Sequence, residues 1–127
     1  MAGLDAGMGY NTWPSMDGAL IPSGLLVMDP AWRNFFENAM TVQFNHRILA
    51  YVIFLVALLH AIRHRSDSSL VLVLAIVLQI VVGIATLLAQ VPLWLGLLHQ
   101  GGALVVLAAA LWNLHCRLRQ WPEPNRQ

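Results

Sequence analysis

Ser69-Leu-Val-Leu-Val-Leu-Ala-Ile-Val-Leu-Gln-Ile-Val-Val-Gly-Ile-Ala-Thr-Leu-Leu-Ala-Gln-Val91 runs for 23 residues without a charge. Crossing the hydrocarbon core of a bilayer takes roughly 20 mostly apolar residues at 1.5 Å per residue. This stretch therefore reads as a transmembrane helix. Two others meet the same test: residues 42–62, in which Ile48–Leu59 carry no charge, and residues 93–115. The fold class predicted is all-α and integral to the membrane, with three spans. Composition agrees: of 127 residues 58% are hydrophobic and 10% charged, with a mean hydropathy of +0.65, against about 25% charged in soluble domains.

The loops orient the spans. Arg63, His64 and Arg65 separate the first two, and Arg117, Arg119 and Arg126 follow the third. Only the uncharged Gln90-Val91-Pro92-Leu93 turn joins spans two and three, while Asp5, Asp17, Asp29 and Glu37 outnumber Arg33 before span one. Arginine gathers beside cytoplasmic ends. The first loop and the C-terminus are accordingly expected in the cytoplasm, and the N-terminal segment and Pro92 turn outside. Trp32, Trp94, Trp112 and Trp121 suit interfacial anchoring on this scheme. No secretory signal is visible, because Asp5, Asn11, Pro14 and Asp17 break the first apolar run and no basic region precedes it.

Residues 1–41 read as an extracytoplasmic cap, 42–120 as the membrane domain and 121–127 as a cytoplasmic tail. Glycine and proline punctuate the cap and favour turns, yet Leu25, Val27, Trp32, Phe35 and Phe36 make it too apolar for a free tail. One short amphipathic helix is expected over about 30–38, with Asp29 as N-cap and Pro30 in the first turn, lying along the membrane surface.

The net charge of +1 is too small and local for nucleic-acid binding. One cysteine, Cys116, excludes an internal disulfide or a multi-cysteine metal site and reads as a packing residue. The histidines carry more. His64 sits in the arginine loop, where solvent explains it, and His60 and His115 lie near the inner ends of their spans, where snorkelling explains them. His46 and His99 each lie one to two turns inside the outer ends of spans one and three, which run parallel. Two imidazoles at matched depth on different helices suit clamping of a metal or haem iron from both sides. Two imidazoles leave a tetrahedral zinc site incomplete, so haem is the better reading. Arg47 is placed to pair with a haem propionate, and Gly96, Gly101 and Gly102 permit close approach beside His99.

A second haem fails on spacing. His46 and His60 are 14 residues apart, about 40° around the helix, but His99 and His115 are 16 apart, about 160°. In span two, Gln79, Gly83 and Thr86 read as a helix-packing face.

Ala2-Gly3-Leu4-Asp5-Ala6-Gly7, Tyr10-Asn11-Thr12-Trp13-Pro14, Arg33-Asn34-Phe35-Phe36-Glu37-Asn38, Val42-Gln43-Phe44-Asn45-His46-Arg47 and Leu98-His99-Gln100 stand along the chain in that order. Together they resemble the heme A synthase family of the alphaproteobacterial and mitochondrial type. The resemblance covers essentially the whole chain and departs at Asn45, where members often carry aspartate. It implies two similar four-helix halves, of which this chain matches the C-terminal one, so that the missing N-terminal half is an expected partner. It further implies oxidation of the C8 methyl of haem O to the formyl of haem A for cytochrome oxidase, and heme b held by His46 and His99. The implied setting is a bacterial inner membrane, with heme O synthase and cytochrome oxidase assembly factors as further partners. No catalytic residue is assigned within this chain. Two alternatives stay open: a non-catalytic b-type haem electron-transfer module, and an inactive truncated membrane fragment.

Overall fold

A computed structural model describes residues 4–120. The expected tail 121–127, with Trp121 and Arg126, and the Ala2-Gly3 start of the first motif lie outside the described residues. The chain forms α1 (Ala6–Gly9), a 3-10 turn (Ala31–Arg33), α2 (Asn34–Glu37) and three long helices, α3 (Ala39–His64), α4 (Asp67–Leu88) and α5 (Leu93–Gln120). No strand occurs among the described residues; an isolated bridge pairs Met16 with Ala19. The three long helices are each apolar enough to cross a membrane, and only 11% of each span is buried within the chain. Such helices hide their backbone polar groups internally and leave apolar side chains for lipid. The protein is a membrane protein.

Local chemistry sets the helix ends. The first span starts at Ala39 because the Asn38 side chain accepts from the amides of Met40 (3.0 Å) and Thr41 (3.3 Å). It ends where Arg65 turns left-handed (φ 33°) and returns its N–H to the Ala61 carbonyl. Ser66 then caps α4 by accepting from Ser69 N. The second span stops at Leu88, three residues before the end expected from hydropathy. Val91 precedes Pro92, which disfavours the helical conformation there, and Gln90 and Val91 both take positive φ (60° and 57°). A β-branched residue rarely adopts that conformation. It is held by the bond from Val91 N to the Thr86 carbonyl, 2.8 Å, and by close packing of the Val91 side chain on Gly7. The third span continues past His115 to Gln120, with Arg117 and Arg119 in its last turn, where cations complement the helix dipole.

Polar side chains pin the cap to α3. Asn34, fully buried, donates to the carbonyls of Met28 and Ala31, both at 2.9 Å, and accepts from Met28 N and Asn38 Nδ2, both at 3.0 Å. Asn38 also donates to the Gly24 carbonyl. The segment expected as one amphipathic helix is thus the 3-10 turn plus the single turn of α2, and its buried side is polar. Trp32, Phe35 and Phe36 point outward, 52–71% exposed. Asp29 makes no capping bond to this segment, whose N-cap position is Pro30; the cap that counts is Asn38.

Arg33 and Glu37 form an i,i+4 ion pair on the surface, and the hydrogen bond from Arg33 holds the Glu37 carboxyl below its usual range. What the pair contributes is present above that range and lost as pH falls through the lowered pKa. Both groups are solvent-exposed, so the contribution is small.

Candidate haem-binding cleft

The middle span packs against both α3 and α5 and floors a cleft between them of about 570 Å³. His46 and Ala50 of α3, Ile80 and Gly83 of α4, and His99 and Ala103 of α5 line its middle. Each pair is spaced three or four residues apart, which puts it on one helix face. Met8 and Trp13 of the cap close one end.

The rings of His46 and His99 face each other across this cleft, centroids 6.2 Å apart and planes at 74°. Metal–imidazole bonds of roughly 2.0–2.1 Å, plus about 1 Å from each nitrogen to its ring centre, give a span of roughly 6 Å for one ion between two rings. The observed separation fits. Nδ1 of His99 is buried and has no hydrogen-bond partner among the described residues. No group of three His, Cys, Asp or Glu able to hold a metal occurs among the described residues. This donor set suits an iron whose other positions a macrocycle fills, and does not suit a bare cation.

Arg47 is engaged with the cap. Its terminal nitrogens donate to the carbonyls of Tyr10 (3.1 Å), Thr12 (2.8 Å) and Ser15 (3.3 Å), and Gln43 Nε2 donates to the same Tyr10 carbonyl at 2.8 Å. Nε of Arg47 and Oε1 of Gln43 are left buried without partners among the described residues. Both residues line the cleft, so among the described residues the buried polar atoms there without a partner are these two and His99 Nδ1.

The remaining histidines lie at the opposite end. His60 Nε2 lies 3.0 Å from Asn113 Oδ1, and Asn113 Nδ2 donates to the hydroxyls of Ser68 and Ser69, both at 3.0 Å. Asn113 is 4% exposed. This network ties α3, α5 and the start of α4 together. His64 lies beside His60, ring centroids 4.7 Å apart and planes tilted by 54°; His115 is exposed and Cys116 is free. Positions 46 and 60 on α3 face 99 and 113 on α5, so both helices show the same 14-residue interval and run parallel in register. Sequence reasoning sought the inner counterpart of His99 at His115 and missed Asn113. The available signal was the lone Asn in an apolar run, at the same interval as the His46–His60 pair.

Asn113→Leu is expected to strip His60 Nε2 of its partner and both serine hydroxyls of their donor. Hydrogen bonds between membrane helices average about 0.6 kcal/mol, so three of them correspond to a loss of about 2 kcal/mol. Unfolding of the detergent- or bicelle-solubilised chain measures it; haem content, set at the other end, should not change.

Of the three glycines expected to open space beside His99, Gly102 meets a neighbour, the Gln79 amide of α4, whereas no atom of the described residues lies within 4 Å of a side chain at Gly96 or Gly101. The glycine against the histidine ring is Gly83.

Fold and cleft together define a membrane protein with three apolar helices and a facing imidazole pair. The sequence profile of the cytochrome oxidase assembly protein family (COX15-CtaA) matches residues 1–111, and the chain belongs to that family. It is similar to the heme A synthase of Mesorhizobium japonicum, 54% identical over 124 residues covering 89% of this chain and 34% of the relative. The heme A synthase of Rhizobium meliloti is 52% identical over 119 residues, 87% of this chain and 32% of the relative. That of Allorhizobium ampelinum is 51% identical over 133 residues, 98% of this chain and 36% of the relative. The chain thus spans about a third of the length of the curated relatives it matches. No solved structure matches it.

Proposed function

We propose that this chain is the haem b-holding portion of a heme A synthase, with His46 and His99 as the two axial ligands of one iron. The observation that carries the proposal is the facing imidazole pair, 6.2 Å apart in a membrane cleft, on a chain whose relatives bear that name. When bound, a haem with two imidazole ligands supplies one-electron transfer. The chain's own residues do the rest. His46 and His99 present lone pairs from two helices fixed by α4, apolar side chains exclude water, and Arg47 Nε offers a buried donor to an acidic group such as a propionate. The reaction served is oxidation of the haem O C8 methyl to the formyl of haem A. It needs the remainder of the enzyme, with haem O supplied by a heme O synthase and haem A passed to cytochrome oxidase assembly.

The division into cap (1–41), membrane domain (42–120) and tail (121–127) belongs to the same proposal. So does placement in a bacterial inner membrane with the cap periplasmic and the C-terminus cytoplasmic. Arg63, Arg65, Arg117 and Arg119 at one end, and the exposed Trp32, Phe35 and Phe36 at the other, support that orientation. A reporter fused after Arg119 is expected to be active in the cytoplasm; periplasmic activity would invert the scheme.

A chimaera tests the function. With this chain in place of the matching third of the Mesorhizobium japonicum enzyme, cells fed haem O are expected to accumulate haem A, and His46→Ala and His99→Ala chimaeras to make none. Undiminished haem A from both variants would overturn the proposal.

A further inference from the structure

The middle span contributes no imidazole, yet it grips the helix that carries His99 at three successive levels. Gln79 Nε2 donates to the His99 carbonyl at 2.6 Å. The amide oxygen of the same side chain occupies the space that a side chain on Gly102 would need. A Cβ at Gly83 would stand 2.8 Å from His99 Cε1, 3.3 Å from Nδ1 and 3.5 Å from Nε2. Thr86 Oγ1 donates to the Val82 carbonyl at 2.7 Å and reaches the Leu95 carbonyl at 3.4 Å. Positions 79, 83 and 86 form one face of α4, and 95, 99 and 102 one face of α5, both at helical spacing. The antiparallel helices therefore meet rung by rung, with the imidazole on the middle rung.

A ligating histidine is ordinarily aimed by a hydrogen bond from its second ring nitrogen to a carbonyl or carboxylate. Here His99 Nδ1 is buried and has no such partner among the described residues. What stands against the ring is the bare backbone of Gly83. A methyl group at position 83 would stand closer to the ring than real Cβ contacts come, so the ring would have to leave its place or the helices to part.

We propose that Gly83, flanked by Gln79 and Thr86, is a positioning seat that sets the plane and reach of the His99 imidazole toward His46. The seat takes the role that a second hydrogen bond plays at other histidine ligands. The inference rests on His99 being an iron ligand, and its test separates the two ideas. Without haem, the solubilised chain is expected to show a nuclear Overhauser contact between the Gly83 Hα protons and His99 Hε1; its absence would overturn the seat whether or not the chain binds haem. With haem, Gly83→Ala is expected to weaken haem affinity roughly 10–100-fold, the range for losing an orienting partner of a metal ligand. It should also shift the g-values of the low-spin ferric electron paramagnetic resonance signal. Gly101→Ala, the same change in open space, should leave both unchanged. If Gly83→Ala fails to fold, Gln79→Leu decides, with a smaller shift of the same signal expected. Unchanged affinity and g-values in a folded Gly83→Ala, or in Gln79→Leu where that variant decides, would show packing alone and overturn the seat.

Discussion

His46→Ala and His99→Ala are each expected to abolish retention of haem through purification, while His64→Ala retains it in full. The two rings stand on different helices, and α4 holds those helices at a separation matched to one ion between them. Removing one ring leaves an iron with a single protein bond in a cleft open along one side. Losing an orienting partner of a ligand alone costs roughly 10–100-fold in affinity, so losing the ligand should exceed about 100-fold. His64 lies beside His60 at the far end of the same helix, 18 residues and so about 27 Å from His46, and its loss touches neither ring. The ratio of haem to protein, from the pyridine haemochromogen, measures the effect. Full ratios with a low-spin spectrum in both ligand variants would remove the model.

The second large effect is expected at Arg47. Its guanidinium holds three carbonyls of the cap, Tyr10, Thr12 and Ser15, from one position on α3. Hydrogen bonds from charged groups are each worth roughly 1.5–3 kcal/mol, but Thr12 is exposed and water replaces part of what is lost. Arg47→Met keeps the apolar stem and removes the donors, and should destabilise docking of residues 10–16 by about 2 kcal/mol, about a 30-fold rise in local opening. Hydrogen exchange reads this at the amides of Met16 and Ala19, which pair with each other in the native cap. Arg47→Lys should show most of the same loss, because a single ammonium cannot reproduce a planar fork that serves three acceptors. Unchanged exchange in both variants would mean that the cap is held by other contacts.

Much of the architecture was legible because a bilayer imposes a simple requirement on sequence. A single apolar span such as 69–88 can satisfy its backbone in hydrocarbon only as a helix, and the same holds for the other two spans. Matched depth similarly brought His46 and His99 together, since a short Pro92 turn makes spans one and three parallel. What hydropathy does not encode is which short polar side chain meets which carbonyl. Asp29-Pro30 looks like a helix start, but the chain is capped at Asn38, whose amide also reaches Gly24, 14 residues earlier in the chain. The segment expected as an amphipathic helix over about 30–38 instead turns Asn34 inward, onto the carbonyls of Met28 and Ala31, and leaves Trp32, Phe35 and Phe36 exposed. Arg47 looks free for a propionate, while the fold commits two of its nitrogens to the cap.

Gly83 was read only as part of a helix-packing face, and Asn113 was not singled out, for a related reason. Both sit on the faces by which helices meet, where a small residue or a lone amide is ordinary in membrane proteins. Only the register of α5 against α4 shows that the ring of His99 falls on Gly83. Only the register of α5 against α3 shows that Asn113 falls on His60. Register follows from three-dimensional packing and leaves little trace in a single sequence.

The most direct measurement is the absorption spectrum of the purified chain expressed with ample haem, oxidised and then reduced with dithionite. Two imidazoles on one iron predict a six-coordinate low-spin b-type spectrum in both states, with the sharp reduced bands that this coordination gives. A high-spin, five-coordinate spectrum, or no haem at all, would contradict the paired ligation of iron by His46 and His99.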